Sequence, residues 1–389
     1  MGDEIDTVRV LDSLAGIDPR QWNALAGDHP FLRHELFHAL HETGCASERT
    51  GWLPQFVTLW NDGRLRGAMP LYLKSHSYGE YVFDWAWADA YQRHGLAYYP
   101  KLVSAVPFSP VQGPRLLASG GNTQLRLLRT ALELAGQTSS LHVLFPLEHE
   151  LRLMAGEGML IRRGVQFHWR NPGYANFEDF LATLARDKRK KIRQERRRVA
   201  DTGIRFRRLT GHEIRPEHWA FFVRCYNTTY RAHHSTPYLN RAFFARLGET
   251  MPENLLLVLA EQEGVPIASA LNVYSAEVLY GRYWGATSYI PNLHFEACYY
   301  QAIEFCIERG IRVFEGGAQG EHKLARGFLP VATASAHWIK HEKFARAVEQ
   351  FLERETAGVE HYLDELNERA PFKKAATTEN PADDAANGS

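Results

Sequence analysis

Residues 292–339 read NLHFEACYYQAIEFCIERGIRVFEGGAQGEHKLARGFLPVATASAHWI, and this pattern decides the predicted fold. The stretch opens with an almost wholly apolar segment that predicts a helix, and Ile311–Phe314 then predicts a short strand. The glycine-rich loop that follows carries groups able to charge or to form hydrogen bonds at Glu315, Gln319, Glu321, His322, Lys323 and Arg326. Such groups suit a loop that handles a charged substrate at the mouth of a sheet, although a solvated surface loop would also be polar.

The bulk composition limits the classes of protein that remain open. A chain of 389 residues is too long for one ordinary core and predicts two domains. Its 45 basic and 45 acidic residues cancel, so binding of a nucleic acid or a phosphate must depend on local clusters of charge. Aromatic residues form 12% of the chain, which is typical of a cleft lined with rings and equally of a large core.

The cysteines give no sign of a disulfide framework or a metal site. The paired spacing of metal ligands is absent from Cys45, Cys225, Cys298 and Cys306. Cys298 and Cys306 fall within the apolar helix pattern, where free thiols behave as small hydrophobic groups, and buried free thiols fit a reducing compartment. The acidic N-terminal residues have no signal-peptide core, and no apolar run reaches the roughly 18 residues that span a membrane. We therefore expect a cytoplasmic protein with no membrane span, no metal and no cofactor.

Two segments of the chain repeat one pattern. FVTLWNDGRLRGAMPLYL at 56–73 and LVLAEQEGVPIASALNVY at 257–274 each read as an apolar strand, an acidic-glycine turn and a strand through small residues. In each half two helices precede this hairpin, and a strand, a helix and another strand follow it. The order predicts a duplicated α/β (α+β) fold with mixed central sheets, divided into residues 1–168 and 169–372. Residues 373–389 lack apolar content and predict a disordered tail.

The order of elements resembles the GNAT acyltransferase fold, and two such domains with a basic helix opening the second resemble the Fem family. Three segments are similar to a bacterial FemAB-like family described as peptidoglycan biosynthesis or recognition: GAMPLYLKSHSYGEYVFDWAWADAY, LHFEACYYQAIE and EGGAQGEHKLARGFLPVATASAHWI. The resemblance implies two tandem GNAT-like domains and transfer of an amino acid from aminoacyl-tRNA to a peptidoglycan precursor.

The chain departs from GNAT enzymes where these bind coenzyme A. The pyrophosphate loop of that superfamily is absent, because TSYIPNLHF follows the strand that ends at Gly285 and Ala286. Backbone amides at the next helix could still bind a phosphate, but the glycines that allow close approach are missing. Acyl-CoA is therefore kept as an alternative donor substrate.

Transfer of an acyl group to an amine requires a base and a stabilised oxyanion. Glu296 lies in the first turn of the predicted helix, away from its solvent stripe, and is a candidate base, although a helix N-terminus also favours a carboxylate for its dipole. Glu315 ends a predicted buried strand and is the second candidate. His294, the expected helix cap, is a third candidate for a catalytic role.

Candidate substrate contacts follow from charge and ring placement. His322, Lys323 and Arg326 could bind a carboxylate or a phosphate, and the resemblance to Fem enzymes implies substrate phosphates. The remaining candidates are Gln319 in the loop, Tyr283 and Trp284 on the strand before the helix, Tyr300 on the helix, and Trp85 and Asp89 among the aromatic residues of the first half. Solvated charges and a packed core would account for the same residues.

The segment Arg186–Arg198 carries nine basic and two acidic residues within a helix predicted over Phe177–Ala200. Lys188 and Glu195 fall on its apolar row, so we expect these two to face protein or cleft, and Lys188 is a further candidate substrate contact. The other basic residues could bind aminoacyl-tRNA, or they could form a solvated face.

The sequence and its resemblance to Fem enzymes therefore predict an acyl- or aminoacyltransferase that acts on an amine, and the resemblance implies that this amine belongs to a peptidoglycan precursor. Two alternatives stay open, an acyl-CoA-dependent N-acetyltransferase and a non-catalytic module that recognises a ligand of cell-wall metabolism.

Overall fold

The computed structural model describes residues 7–82, 84–317 and 320–373. Gln319 and residues 374–389 of the predicted tail lie outside them. The strands are β1 (Thr7–Leu11), β2 (Trp52–Pro54), β3 (Phe56–Asn61), β4 (Arg64–Met69), β5 (Tyr72–Lys74), β6 (Lys101–Ser104), β7 (Leu117–Ala118), β8 (Ser140–Leu144), β9 (Leu160–Arg170), β10 (Arg205–Thr210), β11 (Leu255–Gln262), β12 (Val265–Tyr274), β13 (Val278–Ala286), β14 (Val313–Glu315) and β15 (Leu329–Ile339).

The helices alternate with these strands, so the fold is mixed α/β. They are α1 (Pro19–Ala26), α2 (His34–Glu42), α3 (Trp85–Arg93), α4 (Gly121–Ala135), α5 (Glu148–Gly156), α6 (Phe177–Thr183), α7 (Arg186–Ala200), α8 (Pro216–Ala232), α9 (Arg241–Thr250), α10 (Leu293–Phe295), α11 (Gln301–Arg309) and α12 (Glu342–Glu368). A π-helical turn, Glu296–Tyr300, joins α10 to α11, and a 3₁₀ helix, Glu321–Arg326, follows β14.

Both predicted hairpins are present. β3 pairs with β4 around Asp62 and Gly63, whose φ angles are 46° and 72°. β11 pairs with β12 around Glu263 and Gly264, with φ angles of 52° and 79°. Two consecutive left-handed residues give the turn whose twist matches that of an antiparallel pair.

The two halves of the chain share one sheet. Eleven of the described strands run in the order β10-β11-β12-β13-β14-β9-β15-β8-β6-β5-β2, and β1, β3, β4 and β7 form a second sheet of four strands. β9, from the first half, pairs with β14, and β15, from the second half, pairs with β8. The predicted division between residues 168 and 169 falls inside β9. The division into two domains stays a prediction.

Three local predictions differ from the structure. The helix expected over Phe177–Ala200 is two helices, because Leu184 and Ala185 have extended backbone and Leu184 pairs with Phe372. The strand expected over Arg64–Lys74 breaks before β5 at Pro70, which has no N–H to donate to a ladder. The strand expected at Ile311–Phe314 is β14, and it carries Glu315 as its last residue.

The opening of the sheet that forms the candidate site lies beside β13 and β14. These strands are parallel over three residue pairs, the last of which is Tyr280 with Glu315. Beyond that pair the strand β13 continues to Ala286 while the chain after β14 turns away into the 3₁₀ helix. No helix within the described ranges has the length and apolar character required to cross a bilayer.

Candidate active site

A cleft of about 680 Å³ lies at this opening, where residues of both halves meet. β9, β13 and β15 form its floor, and the 3₁₀ helix and α12 contribute to its walls. The first half adds aromatic side chains at Tyr81, Phe108 and Phe145. The size suits a small-molecule or precursor ligand.

The three aromatic residues from the first half have unusual backbone geometry. Tyr81, Phe108 and Phe145 have φ angles of 61°, 60° and 55°, a left-handed region that side chains rarely adopt. The ring of Phe108 stacks on Tyr238 with centroids 4.8 Å apart, which fixes its orientation. Strained backbone of this kind concentrates at functional sites. Sequence reasoning missed these residues, because nothing in an aromatic side chain signals a positive φ.

The charge that lines the cleft is predominantly positive. Arg162, Arg163, Arg282 and Lys323 line it together with one carboxylate, Glu355. Arg162 holds that carboxylate in a two-pronged pair with distances of 2.7 and 2.8 Å. The excess of cations favours an anionic ligand. Arg162 and Arg163 were not predicted as site residues, because the domain boundary was placed in this segment and the strand β9 was not recognised.

Lys323 is the predicted site residue with the most unusual surroundings. The residue is 3% exposed, and its Nζ donates to the carbonyl of Gly317 over 3.1 Å. Burial, and secondarily the charge of Arg282, lower its pKa to about 8. Gly316 makes room for it, since a Cβ there would lie 3.2 Å from the lysine Cδ. The lysine is therefore a cation held at the cleft with little hydration.

Glu315 and Arg282 form a loose buried pair behind the cleft. Arg282 Nη2 lies 3.6 Å from Glu315 Oε2, and neither atom has a hydrogen-bond partner in the described part of the chain. Burial raises the pKa of Glu315 to about 7, against the opposing effect of Arg282 and Arg115. Arg282 lines the cleft, whereas Glu315 lies behind it. The role of Glu315 as a base stays a prediction.

His294 and His322 line the cleft beside Tyr299. His322 Nε2 lies 3.0 Å from the Tyr299 hydroxyl, and the His294 ring lies 5.4 Å from the Tyr299 ring. Burial, followed by the charges of His322, Arg326 and Lys323, lowers the pKa of His294 to about 4, so its imidazole is neutral at pH 7. The N-cap position belongs to Asn292 and not, as expected, to His294.

Three predicted site residues, Glu296, Tyr300 and Arg326, join Glu195 and Arg196 of α7 in what we call the anchoring cluster. Arg326 Nη2 donates to Glu195 Oε1 over 2.7 Å, and its guanidinium lies 3.4 Å from the ring centroid of Phe295. The Tyr300 hydroxyl donates to the other oxygen of Glu195. None of these five residues is among those lining the cleft.

Glu296 is hydrogen-bonded to Arg196, a residue of α7 like Glu195. Arg196 donates to both of its oxygens, at 2.9 and 3.1 Å, and Gln301 donates to it over 2.8 Å. The roles of Glu296 as a base and of Arg326 and Tyr300 as substrate contacts stay predictions, and their polar groups are bonded within the anchoring cluster, outside the cleft lining. These bonds connect α7 to the π-helical turn Glu296–Tyr300 and to the 3₁₀ helix Glu321–Arg326. The inward direction predicted for Glu195 agrees with its burial.

The other predicted contacts are dispersed. Tyr283 lines the cleft, whereas Trp284 packs beside it against the His294 ring at 5.3 Å. Trp85 and Asp89 line a second pocket together with Tyr98 and Tyr99. Lys188 is about one-third exposed and pairs with its neighbour Asp187 at 3.0 Å. No group of three metal-ligating side chains occurs among the residues for which the structure gives positions.

The chain is similar to proteins of one family and to several solved structures. The FemAB-like family, described as peptidoglycan biosynthesis/recognition, matches residues 13–374. The crystal structure of FemX is similar with a TM-score of 0.55 and 12% identity, over 86% of this chain and 98% of that one. Among curated proteins there is no match.

Two further structures share the fold. The C-terminal domain of a putative lysylphosphatidylglycerol synthetase from Agrobacterium fabrum has a TM-score of 0.52 and 11% identity, over 85% of this chain and 94% of that one. L-PGS from Bacillus licheniformis has a TM-score of 0.50 and 11% identity, over 81% of this chain and 93% of that one. At these identities the likeness concerns the fold alone, which is GNAT-like, as predicted.

Proposed function

The chain belongs to the FemAB-like family, and we propose that it transfers an aminoacyl group to an amine of an anionic cell-wall precursor. The observation that carries the proposal is Lys323, a lysine with a lowered pKa in a cleft lined by further cations. The charge of such a lysine interacts strongly with a negative charge in the cleft, because little water screens it.

The proposed reaction needs no covalent enzyme intermediate. The amine nitrogen attacks the ester carbonyl carbon of the donor, and the negative charge that develops on the carbonyl oxygen is stabilised by the Lys323 ammonium. The carbon–oxygen bond of the ester then breaks, and the departing hydroxyl takes a proton. Arg163 and Arg282 bind the anionic part of the precursor at the cleft floor, while Arg162 is held by Glu355.

The amine must lose protons during this sequence. Of the three predicted bases, His294 lines the cleft, whereas Glu296 is paired with Arg196 and Glu315 lies behind Arg282. A pKa of about 4 makes His294 a weak base at neutral pH. The reaction therefore calls for a further acceptor of the amine proton.

The surface of α7 supports aminoacyl-tRNA as the donor. Arg186, Lys190, Lys191, Arg197 and Arg198 are exposed on this helix and suit the backbone of a tRNA. The opposite face of α7 is tied to the loop that carries Lys323, through Glu195 and Arg326. A tRNA bound on the outer face would thus lie next to the cleft. The absent glycine loop supports an aminoacyl ester over acyl-CoA as the donor.

The test is a transfer assay with separate donors. The protein is incubated with a nucleotide-linked muramyl pentapeptide and either a mixture of ¹⁴C-aminoacyl-tRNAs or ¹⁴C-acetyl-CoA. Mass spectrometry should show the pentapeptide heavier by one amino-acid residue with the tRNA mixture alone. Acetylated product with acetyl-CoA would replace the proposed donor. Saturable binding of the pentapeptide without product from either donor would favour a recognition module and contradict the proposal.

A further inference from the structure

A row of buried side chains leads away from the cleft, starting at Ser335. Ser335 lines the cleft, and its Oγ lies 2.7 Å from Nε2 of His337. His337 and His142 stand directly opposite each other on the antiparallel strands β15 and β8, and their Nδ1 atoms are 2.7 Å apart. His142 Nε2 lies 3.1 Å from the hydroxyl of Tyr98, which donates to Asp84 Oδ2 over 2.6 Å.

The direction of every bond in the row follows from the carboxylate at its end. Lys101 holds the pKa of Asp84 well below its usual range despite burial, so Asp84 accepts and Tyr98 donates. The Tyr98 oxygen is then the acceptor for Nε2–H of His142, and Ser140, 2.8 Å from that nitrogen, accepts from it as well. Burial lowers the pKa of His142 to about 3 and that of His337 well below its ordinary value, so each ring has a single proton.

The remaining bonds have one consistent arrangement. Since Nε2 of His142 carries its proton, Nδ1 of His142 accepts from Nδ1–H of His337. Nε2 of His337 then accepts from the Ser335 hydroxyl. Ser335 points its proton inward and keeps an oxygen lone pair for a donor in the cleft.

The far end of the row reaches a second surface. Lys101 Nζ donates to Asp84, to Glu80 over 2.8 Å and to Ser77 over 2.8 Å. Ser77 lies 2.8 Å from the hydroxyl of Tyr99, a half-buried residue of the second pocket. Burial raises the pKa of Glu80 to about 7, against the effect of Lys101.

We propose that the row from Ser335 through His337, His142, Tyr98 and Asp84 to Glu80 carries away the proton that acylation releases in the cleft. This inference rests on the proposed function. An ammonium has three protons: one stays in the amide, one leaves with the departing hydroxyl and one must be removed. Ser335 takes that proton and passes its own to His337, and each group does the same in turn. Lys101 gives a proton to Glu80 and regains one through Asp84.

A purely structural origin of the row is expensive. Burying two carboxylates and the ammonium of Lys101 removes each ion from water at a large cost in free energy, and apolar side chains would fill the same volume. Glu80 Oε1 and Asp84 Oδ1 have no hydrogen-bond partner among the described residues. Trp87 packs on His337 with ring centroids 5.0 Å apart and screens the row from water.

The row is tested by nitrogen NMR of the full chain with ¹⁵N-labelled histidine. In the wild type both rings should be neutral at pH 7, with the proton on Nε2 of His142 and on Nδ1 of His337. Tyr98→Phe removes the hydroxyl that accepts from Nε2–H of His142 and so fixes the direction of the bonds. Ser140 then donates to Nε2 of His142, and the proton should move to Nδ1 of His142 and to Nε2 of His337. Thr333→Val, on the same strand and outside the row, should change neither. A Tyr98→Phe protein in which His337 keeps its wild-type tautomer overturns the inference.

Catalytic use of the row is tested in the transfer assay with aminoacyl-tRNA. Ser335→Ala should lower kcat about tenfold or more with KM unchanged, because the serine moves a proton and does not bind the precursor. Tyr98→Phe, remote from the cleft, should lower kcat in the same way and reduce the solvent deuterium isotope effect. Wild-type rates in both variants overturn the row while leaving the proposed function intact. A wild-type protein that forms no product overturns both.

Discussion

The anchoring cluster and the group of Lys323, Arg282 and Glu315 at the cleft are built from the same residue types. The 3₁₀ helix Glu321–Arg326 contributes to both, through Arg326 and Lys323. In the cluster, Arg326 lies 2.7 Å from Glu195, and Arg196 holds both oxygens of Glu296. At the cleft, Arg282 and Glu315 stay 3.6 Å apart with atoms that have no hydrogen-bond partner among the described residues, and Lys323 has a lowered pKa. Closed pairs fasten elements together, whereas incompletely satisfied groups beside a cleft are available to a ligand.

The largest expected effect breaks the anchoring cluster. Arg326→Met leaves Glu195 buried without its cation and should lower the free energy of unfolding by about 3–5 kcal/mol. Removing both charges, with Glu195→Met added, should restore most of that loss. Urea unfolding of the two single variants and the double variant measures the coupling. Additive losses would show that the pair is not closed.

The next prediction concerns Glu315 and the pH dependence of the free energy of unfolding. The pKa of Glu315 is raised from 4.5 to about 7 by burial, so its effect on stability is most favourable below pH 4.5 and is lost as pH rises towards 7. Its share of that loss is on the order of 2–3 kcal/mol. Unfolding free energies of Glu315→Gln measured across this range should show a flatter slope than those of the wild type. An unchanged slope would mean that the carboxylate is ionised in the same range as in the unfolded chain.

The smallest effect concerns Glu296. Glu296→Gln keeps the shape of the side chain, but it removes the charge and replaces one accepting oxygen by an NH2 group that cannot accept from Arg196. The arginine is partly exposed, so we expect a loss of about 1–2 kcal/mol for this variant. Its transfer rate should stay within about twofold of the wild type, since the residue does not reach the cleft. A rate lowered a hundredfold would return Glu296 to the reaction as its base.

The sequence was informative where a signal is local. The hairpin turns at Asp62–Gly63 and Glu263–Gly264 were predicted, and Lys323, His322 and Tyr283 were selected from their places in a loop and on a strand. The bonds of Arg326 to Glu195 and of Glu296 to Arg196 could not be predicted, because each pair is more than 90 residues apart in the chain. The exchange of β9 and β15 between the halves, and with it the position of Ser335 at the cleft, is likewise set by long-range pairing.

The measurement that tests the account most directly is the transfer rate of Lys323→Met with aminoacyl-tRNA and the nucleotide-linked muramyl pentapeptide. Loss of a cation that stabilises the oxyanion should lower kcat by about 10²–10³, while urea unfolding shows no loss of stability, because a buried charge has been removed. Glu296→Gln, assayed beside it, should transfer at the wild-type rate. A Lys323→Met protein that turns over as fast as the wild type would contradict the central claim.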